Sequence, residues 1–423
     1  MAQQADVHVI SKANIAEHFV VSLPQTESGT VQDGHILVRT AIIGLAANNL
    51  SYAQLGSIRS WWDAYPVPSG LAESYSDTSQ YGIGPAWGYG EVLESRVSGI
   101  ETGMLLWGFW PTSNHPVDLQ LVPADAPGHW IETSEHRKTL MNLYQRYILQ
   151  DANARAESLD QSSIQSMAWR AACVPTWEAG YLLNKAVFGA AQIHPGGVEP
   201  WESRDADLSS AIAISLSASG KTARGFTDGL INNRSTNTGP LGLFAITSIT
   251  RKDFIPKPSF STKSVTYASV TDSDTLDWIA QLNPKKIVVA DFGGRGDSLP
   301  KLLEALHDRF SGKVDVVVIG VGGNPQLHTP AELGRWAQRN AGLANRVQMN
   351  ASGIRDALMK QDGAEKYFED LNKAWDQFIK GESAKDLKLE IGTGVKGDDG
   401  LEGGWTRLCN GNIPGNGALA YRF

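Results

Sequence analysis

The stretch Ala211-Ile-Ala-Ile-Ser-Leu-Ser-Ala-Ser-Gly-Lys-Thr-Ala-Arg-Gly225 constrains this chain most, because an apolar run breaks into a turn of small residues and then a helix-forming segment. It reads as a strand, a phosphate loop and a helix start. Ala218, Gly220 and Ala223 fill the three small positions of a G-x-G-x-x-G fingerprint. The middle glycine lets backbone approach a pyrophosphate, and the last small residue lets the helix pack on the strand. A helix starting after Gly220 presents unpaired N–H groups and a positive dipole end, so an anion is its natural occupant. Ser217, Ser219 and Thr222 add hydroxyls there, with Lys221 between them.

Two other readings of these residues stay open. A tight βα turn lined by small residues has the same pattern without a ligand. Ser215-Leu-Ser-Ala-Ser-Gly-Lys-Thr222 is also one glycine short of the G-x-x-x-x-G-K-T loop of nucleotide hydrolases, with Asp291 at the end of Ile287-Val-Val-Ala-Asp291 in the place of the metal-linked acid. The residue that shapes such a loop is here Ser215, which argues against hydrolysis.

With 423 residues, two domains are expected, and 42% hydrophobic against 19% charged residues is ordinary globular chemistry. A net charge of −8 argues against a nucleic-acid partner, which needs a basic face. No stretch approaches the ~20 apolar residues of a membrane span, and Met-Ala-Gln-Gln-Ala-Asp at the start does not resemble a secretory leader. Cys173 and Cys409 cannot form a disulfide framework, so a reducing cytoplasm is expected, and they cannot build a four-cysteine zinc lobe.

The N-terminal portion reads as β-rich. Phe19–Leu23, His35–Ile43 and Gly90–Glu94 are short strands between glycine and proline turns, the pattern of a small barrel or sandwich. Leu45–Gly56 interleaves polar and apolar residues, and an aromatic loop follows with Trp61, Trp62, Tyr65 and Trp87, completed by Trp107-Gly-Phe-Trp110. Rings in such number supply either pocket walls or packing at a barrel mouth. Leu140, Leu143, Tyr144 and Ile148 recur at helical steps, and Met167, Ala171 and Val174 extend a helical bridge up to Pro175.

Beyond the loop, Leu243–Thr247, Ser264–Tyr267, Lys286–Asp291 and Val314–Ile319 are apolar runs at intervals that indicate a parallel, doubly wound sheet. An NAD site presents an acidic residue about 20 positions after the glycines. This chain has Thr247-Ser-Ile-Thr-Arg-Lys252 instead, whose Ser248, Arg251 and Lys252 suit a 2′-phosphate and favour NADP(H). A solvated cation pair is the alternative.

Ala47-Asn-Asn-Leu-Ser-Tyr-Ala53, Trp62-Asp-Ala-Tyr-Pro66, Trp87-Gly-Tyr-Gly-Glu-Val92, Gly108-Phe-Trp-Pro111 and Gly415-Asn-Gly-Ala-Leu-Ala-Tyr-Arg-Phe423 together resemble the medium-chain dehydrogenase/reductases of the zinc-free, quinone-reductase-like branch, and more closely an offshoot of that superfamily found in fungi and bacteria. The resemblance implies an α/β protein. It would have a GroES-like β-barrel at 1–165, a Rossmann doubly wound parallel sheet at 166–350, and helices and strands at 351–423 that return to the barrel. Cofactor and substrate would meet in the cleft. Asn48, Ser51 and Tyr52 match the segment that lies beside the nicotinamide in the quinone reductases. Lys221, Ala218 and Ala223 depart from the glycines usual in that loop.

Without a metal, such a reductase leaves the hard chemistry to its cofactor and uses protein groups to place the acceptor. Tyr52 is the first candidate donor to a substrate oxygen and Ser51 the second. Glu178, in Val174-Pro-Thr-Trp-Glu-Ala-Gly180, is either an acid of raised pKa or a first-turn carboxylate favoured by the helix dipole. His115 and Asp118 rank lower, and the stripe Phe368, Leu371, Trp375, Phe378 and Ile379 reads as core. The expectation is therefore an NADP(H)-dependent oxidoreductase acting on a small apolar or aromatic carbonyl, enone or quinone, with no membrane partner and with room for a homodimer. A non-redox cyclase, isomerase or C–C lyase of specialised metabolism is the alternative on the same scaffold.

Overall fold

A computed structural model describes residues 4–24, 31–151, 153–197, 201–234, 238–248, 255–256, 258–323, 326–343 and 345–423. Two compact units emerge. The first gathers Met1–Pro175 and Lys388–Phe423 with a short piece ending at Leu327, and the second Thr176–Asn324 and His328–Leu387. These differ from the expected divisions at 165 and 350.

In the first unit, β1 (Gln4–Ser11) pairs with β2 (His18–Pro24). The long β3 (His35–Leu45) leads into α1 (Ala47–Gln54), and a helical turn, α2 (Glu73–Ser76), precedes β4 (Tyr81–Gly82), which pairs with β1. Then follow β5 (Pro85–Ser95), β6 (Leu105–Pro111), β7 (Val117–Pro123), β8 (His129–Glu132) and β9 (Arg146–Leu149). The order β3-β5-β6-β9-β8-β7 closes because β3 also pairs with β7, giving a six-stranded antiparallel barrel. Register shifts in β3 at Leu37/Val38 and Thr40/Ile42 let one strand serve neighbours on both sides of the corner.

The helical spacing of Leu140 to Ile148 is not realised. Asn142–Gln145 is a 3₁₀ turn, and Arg146–Leu149 is β9, held between β6 and β8. A few apolar residues at three- and four-residue steps do not separate a turn and strand from a short helix; the barrel's open edge decides. The helix α3 (Gln161–Leu182) runs through Pro175 and does not stop there.

In the second unit, β10 (Ala211–Leu216), α4 (Lys221–Asn232), β11 (Gly242–Thr247), β12 (Ser261–Thr266), α5 (Ser273–Gln281), β13 (Lys286–Asp291), α6 (Ser298–Phe310), β14 (Asp315–Gly320), α7 (Pro330–Ala341) and β15 (Arg346–Gln348) alternate along the chain. The sheet order is β12-β11-β10-β13-β14-β15, all parallel, the order of a dinucleotide-binding Rossmann sheet. Every residue of β10, β11 and β13 is buried, which explains their unbroken apolar runs. The helices α8 (Ala351–Asp362) and α9 (Ala364–Lys380) belong to this unit, because α9 buries Tyr367, Phe368, Leu371, Trp375 and Phe378, with Trp375 and Phe378 each 5.4 Å from the ring of Trp177. Ile379 is only half-buried. The chain then adds β16 (Lys388–Thr393), α10 (Leu401–Cys409) and β17 (Gly417–Arg422) to the first unit, where β17 extends the barrel sheet along β3.

Candidate functional site

The loop between β10 and α4 is built as the sequence suggests. Because β10 continues through Ser215, which pairs with Ala245 and Ala290, only residues 217–220 connect strand to helix. That length suits a dinucleotide turn and leaves no room for a six-residue hydrolase loop, so Ser215 is a strand residue, not a loop residue. Gly220 starts α4 with no side-chain cap, and a Cβ built on it would meet only the Ser217 carbonyl oxygen at 3.2 Å. The first-turn amides therefore face a surface that no side chain of the cap covers. A Cβ on Gly180 would lie 2.0 Å from the carbonyl oxygen of Thr222, so a glycine on α3 gives α4 its close approach, a requirement visible only in the packed helices.

Ser217 takes the left-handed conformation (φ 59°) that glycine adopts more readily. It is held there by Tyr267, a residue that the sequence reading leaves at a strand end. The Ser217 N–H donates to the Tyr267 hydroxyl at 3.0 Å, the two hydroxyls are 2.9 Å apart, and Ser217 Oγ donates to the Gly293 carbonyl at 2.7 Å. These bonds tie the ends of β10, β12 and β13 together. Burial pushes the Tyr267 phenol upward and raises the Asp291 carboxyl, whose Oδ1 accepts from the amides of Gly293 (3.0 Å) and Gly294 (2.7 Å).

On the other side of the loop, Arg224 donates from Nε to the Ser219 carbonyl (2.9 Å) and from its two Nη atoms to the carboxylate oxygens of Asp386 (2.6 and 3.0 Å). A buried fork thus anchors the turn to the segment after α9. Lys221 and Thr222 are half-buried at the helix start, and Ser248 is exposed just past β11. Arg251 and Lys252 lie outside the described residues.

In the first unit, α1 carries Asn48, Ser51 and Tyr52 on one helical face. Asn49 anchors the helix, accepting from the Ala46 amide (2.8 Å) and donating to the Pro85 carbonyl (3.1 Å). The Tyr52 hydroxyl accepts from Asn48 Nδ2 (3.1 Å) and Trp87 Nε1 (3.0 Å), and its ring meets Trp61 at 4.9 Å, Phe109 at 5.1 Å and Tyr144 at 5.9 Å. Trp87 and Trp107–Trp110 stand on β5 and β6, so these rings of the expected aromatic loop are strand residues. Tyr52, Trp61, Trp87, Trp107 and Tyr144 keep 5 to 8% exposure, whereas Tyr89, Phe109, Trp110 and Tyr147 have none. The former make an aromatic face and the latter its support. Tyr144, whose spacing predicts a helix, sits in a 3₁₀ turn and is a central member of this face.

Glu178 belongs to the second unit. Its Oε1 accepts from the Tyr367 hydroxyl (2.5 Å) and lies 3.7 Å from Arg355 Nη1, a placement that accounts for the carboxylate within the helical layer. His115 and Asp118 border a 400 Å³ pocket with Tyr65 and four prolines, and Asp118 is paired with His35 at 2.6 Å. A cleft of 1070 Å³ follows the C-terminal half of α4 and touches none of the expected site residues. Among the described residues no three His, Cys, Asp or Glu side chains gather as metal ligands, and no helix is long and apolar enough to cross a membrane.

Residues 43–414 match a family described as "Protein of unknown function (DUF2855)". The chain belongs to this family. No curated protein matches it. Among solved structures, this DUF2855 member is similar to the Etr1p/NADP/crotonyl-CoA complex (12% identity, TM-score 0.51, 100% of both chains) and to a mutant enoyl thioester reductase from Candida tropicalis (12%, 0.51, 100% of both). It is also similar to the CurF cyclopropanase from the curacin A biosynthetic pathway (13%, 0.50, 99% of both). These likenesses carry the fold: a GroES-like barrel with a Rossmann-like sheet, as in the medium-chain dehydrogenase/reductases.

Proposed function

We propose that this protein is a zinc-independent, NADP(H)-dependent oxidoreductase of the medium-chain reductase type, close to the quinone-reductase-like branch, acting on a small apolar or aromatic carbonyl, enone or quinone. The observation that carries the reading is the aromatic face around Tyr52, where hydroxyl and indole donors stand among rings that retain only a few per cent exposure. Such a surface favours flat, weakly polar molecules and offers hydrogen bonds to one oxygen.

The strand–turn–helix at 211–232 fits a dinucleotide, since Gly220 leaves the first turn of α4 uncovered. Ser217, Ser219, Gly220, Lys221 and Thr222 would hold the pyrophosphate, and Ser248, Arg251 and Lys252 the 2′-phosphate. A bound nicotinamide supplies a hydride. The chain's own residues orient the acceptor, exclude water with the rings and offer a proton to its oxygen through the hydroxyls of α1 and its neighbours. Glu178, with its two partners, serves the helical layer.

Calorimetry with NADPH and NADH tests the cofactor. Replacing Arg251 and Lys252 by Ala is expected to weaken NADPH by about 2–4 kcal/mol and to change NADH little, the scale of lost charge-assisted hydrogen bonds. Equal effects on both would refute the 2′-phosphate assignment. The second reading, a non-redox enzyme on this scaffold, draws support from the loop itself: Ser217, Ala218 and Gly220 already spend their amides inside the protein. A protein that binds neither dinucleotide would favour it.

A further inference from the structure

The cleft of 1070 Å³ along α4 is lined entirely by residues of the second unit, and two of them carry buried polar atoms of opposite sense. The helix α3 continues past Leu182 into a single π-helical turn, Leu183–Val187, a kind of turn frequent at functional sites, and Asn184 stands on it. Asn184 Nδ2 donates to the Phe226 carbonyl at 2.5 Å, which fixes the amide and leaves Oδ1 a buried acceptor with no partner among the described residues. Next to it, Arg234 Nη2 donates to the carbonyls of Phe188 (2.7 Å) and Asn184 (3.4 Å), while Arg234 Nε is a buried donor likewise without a partner. Unmet buried groups are costly, and they point to a molecule that completes them. A hydroxyl both donates and accepts, so it can serve the two together; an anion leaves Asn184 Oδ1 unmet, and a cation leaves Arg234 Nε unmet.

The surrounding residues hold these groups in place. A Cβ on Gly229 would lie 2.6 Å from Asn184 Cγ and Nδ2, so α4 makes room for the amide with a glycine. The neighbouring Asp228 is half-buried; its Oδ1 accepts from Ser383 Oγ (2.6 Å) and Asn232 Nδ2 (2.9 Å), and its Oδ2 has no partner among the described residues. Asn232, Gln361 and Gln377 are exposed at the rim, while Trp177, Tyr181 and Phe188 give the cleft a buried apolar wall. Charges nearly cancel: Lys185, Arg234 and Lys373 accompany Asp207, Asp228, Asp362 and Asp370, and Lys185 is paired with Asp370 at 3.1 Å. From Trp177 to Phe188 the helical wall runs about 16 Å, longer than one sugar ring.

We propose that this cleft is a second binding site, for a neutral polyhydroxylated molecule of disaccharide size. One hydroxyl of the ligand donates to Asn184 Oδ1 and accepts from Arg234 Nε, another donates to Asp228 Oδ2, and the carboxamides of the rim, each both donor and acceptor, meet the rest. The apolar C–H faces of the sugar rings lie toward the aromatic wall. The site is separate from the phosphate loop. Ala206, Asp207 and Leu208 border the cleft ahead of β10, whereas residues 217–220 follow that strand, and its six residues set the two roughly 20 Å apart. The inference therefore stands whether or not the protein is a reductase.

The test titrates the full chain with maltose, cellobiose and trehalose, by calorimetry and by saturation-transfer NMR, without any dinucleotide. At least one of the three is expected to bind. Asp228→Asn keeps the shape of the side chain and removes its charge, and should weaken that sugar about tenfold. Ala190→Trp places a large ring at an exposed position of the cleft's border, where it does not disturb the core, and should abolish binding with an unchanged thermal melt. Both variants should respond to NADPH as the wild type does. Wild-type protein that binds none of the three sugars, or sugar binding that survives both substitutions, would overturn the proposal. So would binding of inorganic phosphate or putrescine in place of the sugars, lost in Ala190→Trp, which would make the cleft an ion site.

Discussion

Gly220→Val isolates the phosphate-loop reading from the stability of the fold. The backbone at Gly220 has φ −71° and ψ 156°, a conformation open to any residue, so the substitution meets no backbone strain. An added Cβ would touch only the Ser217 carbonyl, at 3.2 Å, and needs a shift of a few tenths of an ångström. Placing an apolar residue at this cap costs roughly 0.5–1 kcal/mol, small against a domain of this size. The ligand loses more. Two further methyl groups stand over the first turn of α4, where the pyrophosphate would approach the amides. If two charge-assisted hydrogen bonds at about 1.5–3 kcal/mol each are denied, NADPH affinity falls by about 3–6 kcal/mol, or roughly 10²–10⁴-fold. Gly220→Ala, which adds only the Cβ, should lose less than about tenfold on the same argument. Calorimetric titration with NADPH beside thermal melting reads both quantities. A valine variant that melts like wild type and binds NADPH equally well would refute the loop as the pyrophosphate site.

Two further outcomes follow from buried charge. Asp386→Asn leaves the Arg224 guanidinium, 1% exposed, without its anion and should destabilise the second unit by about 3–5 kcal/mol, read as a lowered melting temperature; an unchanged melt would mean that the fork does not anchor the loop. His8 is fully buried, hydrogen-bonded to Thr112 Oγ1 (3.2 Å) and His18 Nδ1 (3.0 Å), and burial, with His18 adding to it, holds its pKa well below 6.5. His18, whose pKa burial also lowers while Glu402 opposes, reaches Thr406 on α10 at 2.9 Å. A histidine kept neutral in the folded state binds its proton preferentially when unfolded. Its stability contribution is thus complete above about pH 6.5 and lost as pH falls below it, by up to about 1.4 kcal/mol per pH unit for His8. Urea titrations from pH 8 to pH 5 should show that decline, and His8→Gln should flatten it; an equal slope in both proteins would show that His8 does not carry the effect.

How much of this protein is legible without its structure depends on whether a feature is local. The run 211–216, the small-residue turn and the helix after Gly220 were readable because a fully buried parallel strand must be apolar throughout and a helix packed on it needs small residues where they touch. The limits Lys286–Asp291 of β13 are those expected, for the same reason. Asn48, Ser51 and Tyr52 could be brought together on the resemblance of one short segment, and i, i+4 geometry then sets Asn48 against the Tyr52 hydroxyl.

What only the tertiary structure decided involves partners distant along the chain. Tyr144 gave the signal of a helix, and its position on the aromatic face required β9 to fill the barrel between β6 and β8. Tyr267 is 50 residues from the Ser217 it holds, and Arg224 is 162 from Asp386. Glu178 is expected in a first helical turn, but it lies near the C-terminal end of α3, and its partners, Tyr367 and Arg355, come from two later helices. Local pattern records which side of an element is apolar, because burial imposes a period of two or 3.6 residues. It does not record which hydroxyl, guanidinium or ring the chain's return path brings to that side, since that choice is made by the closure of the barrel and the packing of helices against the sheet.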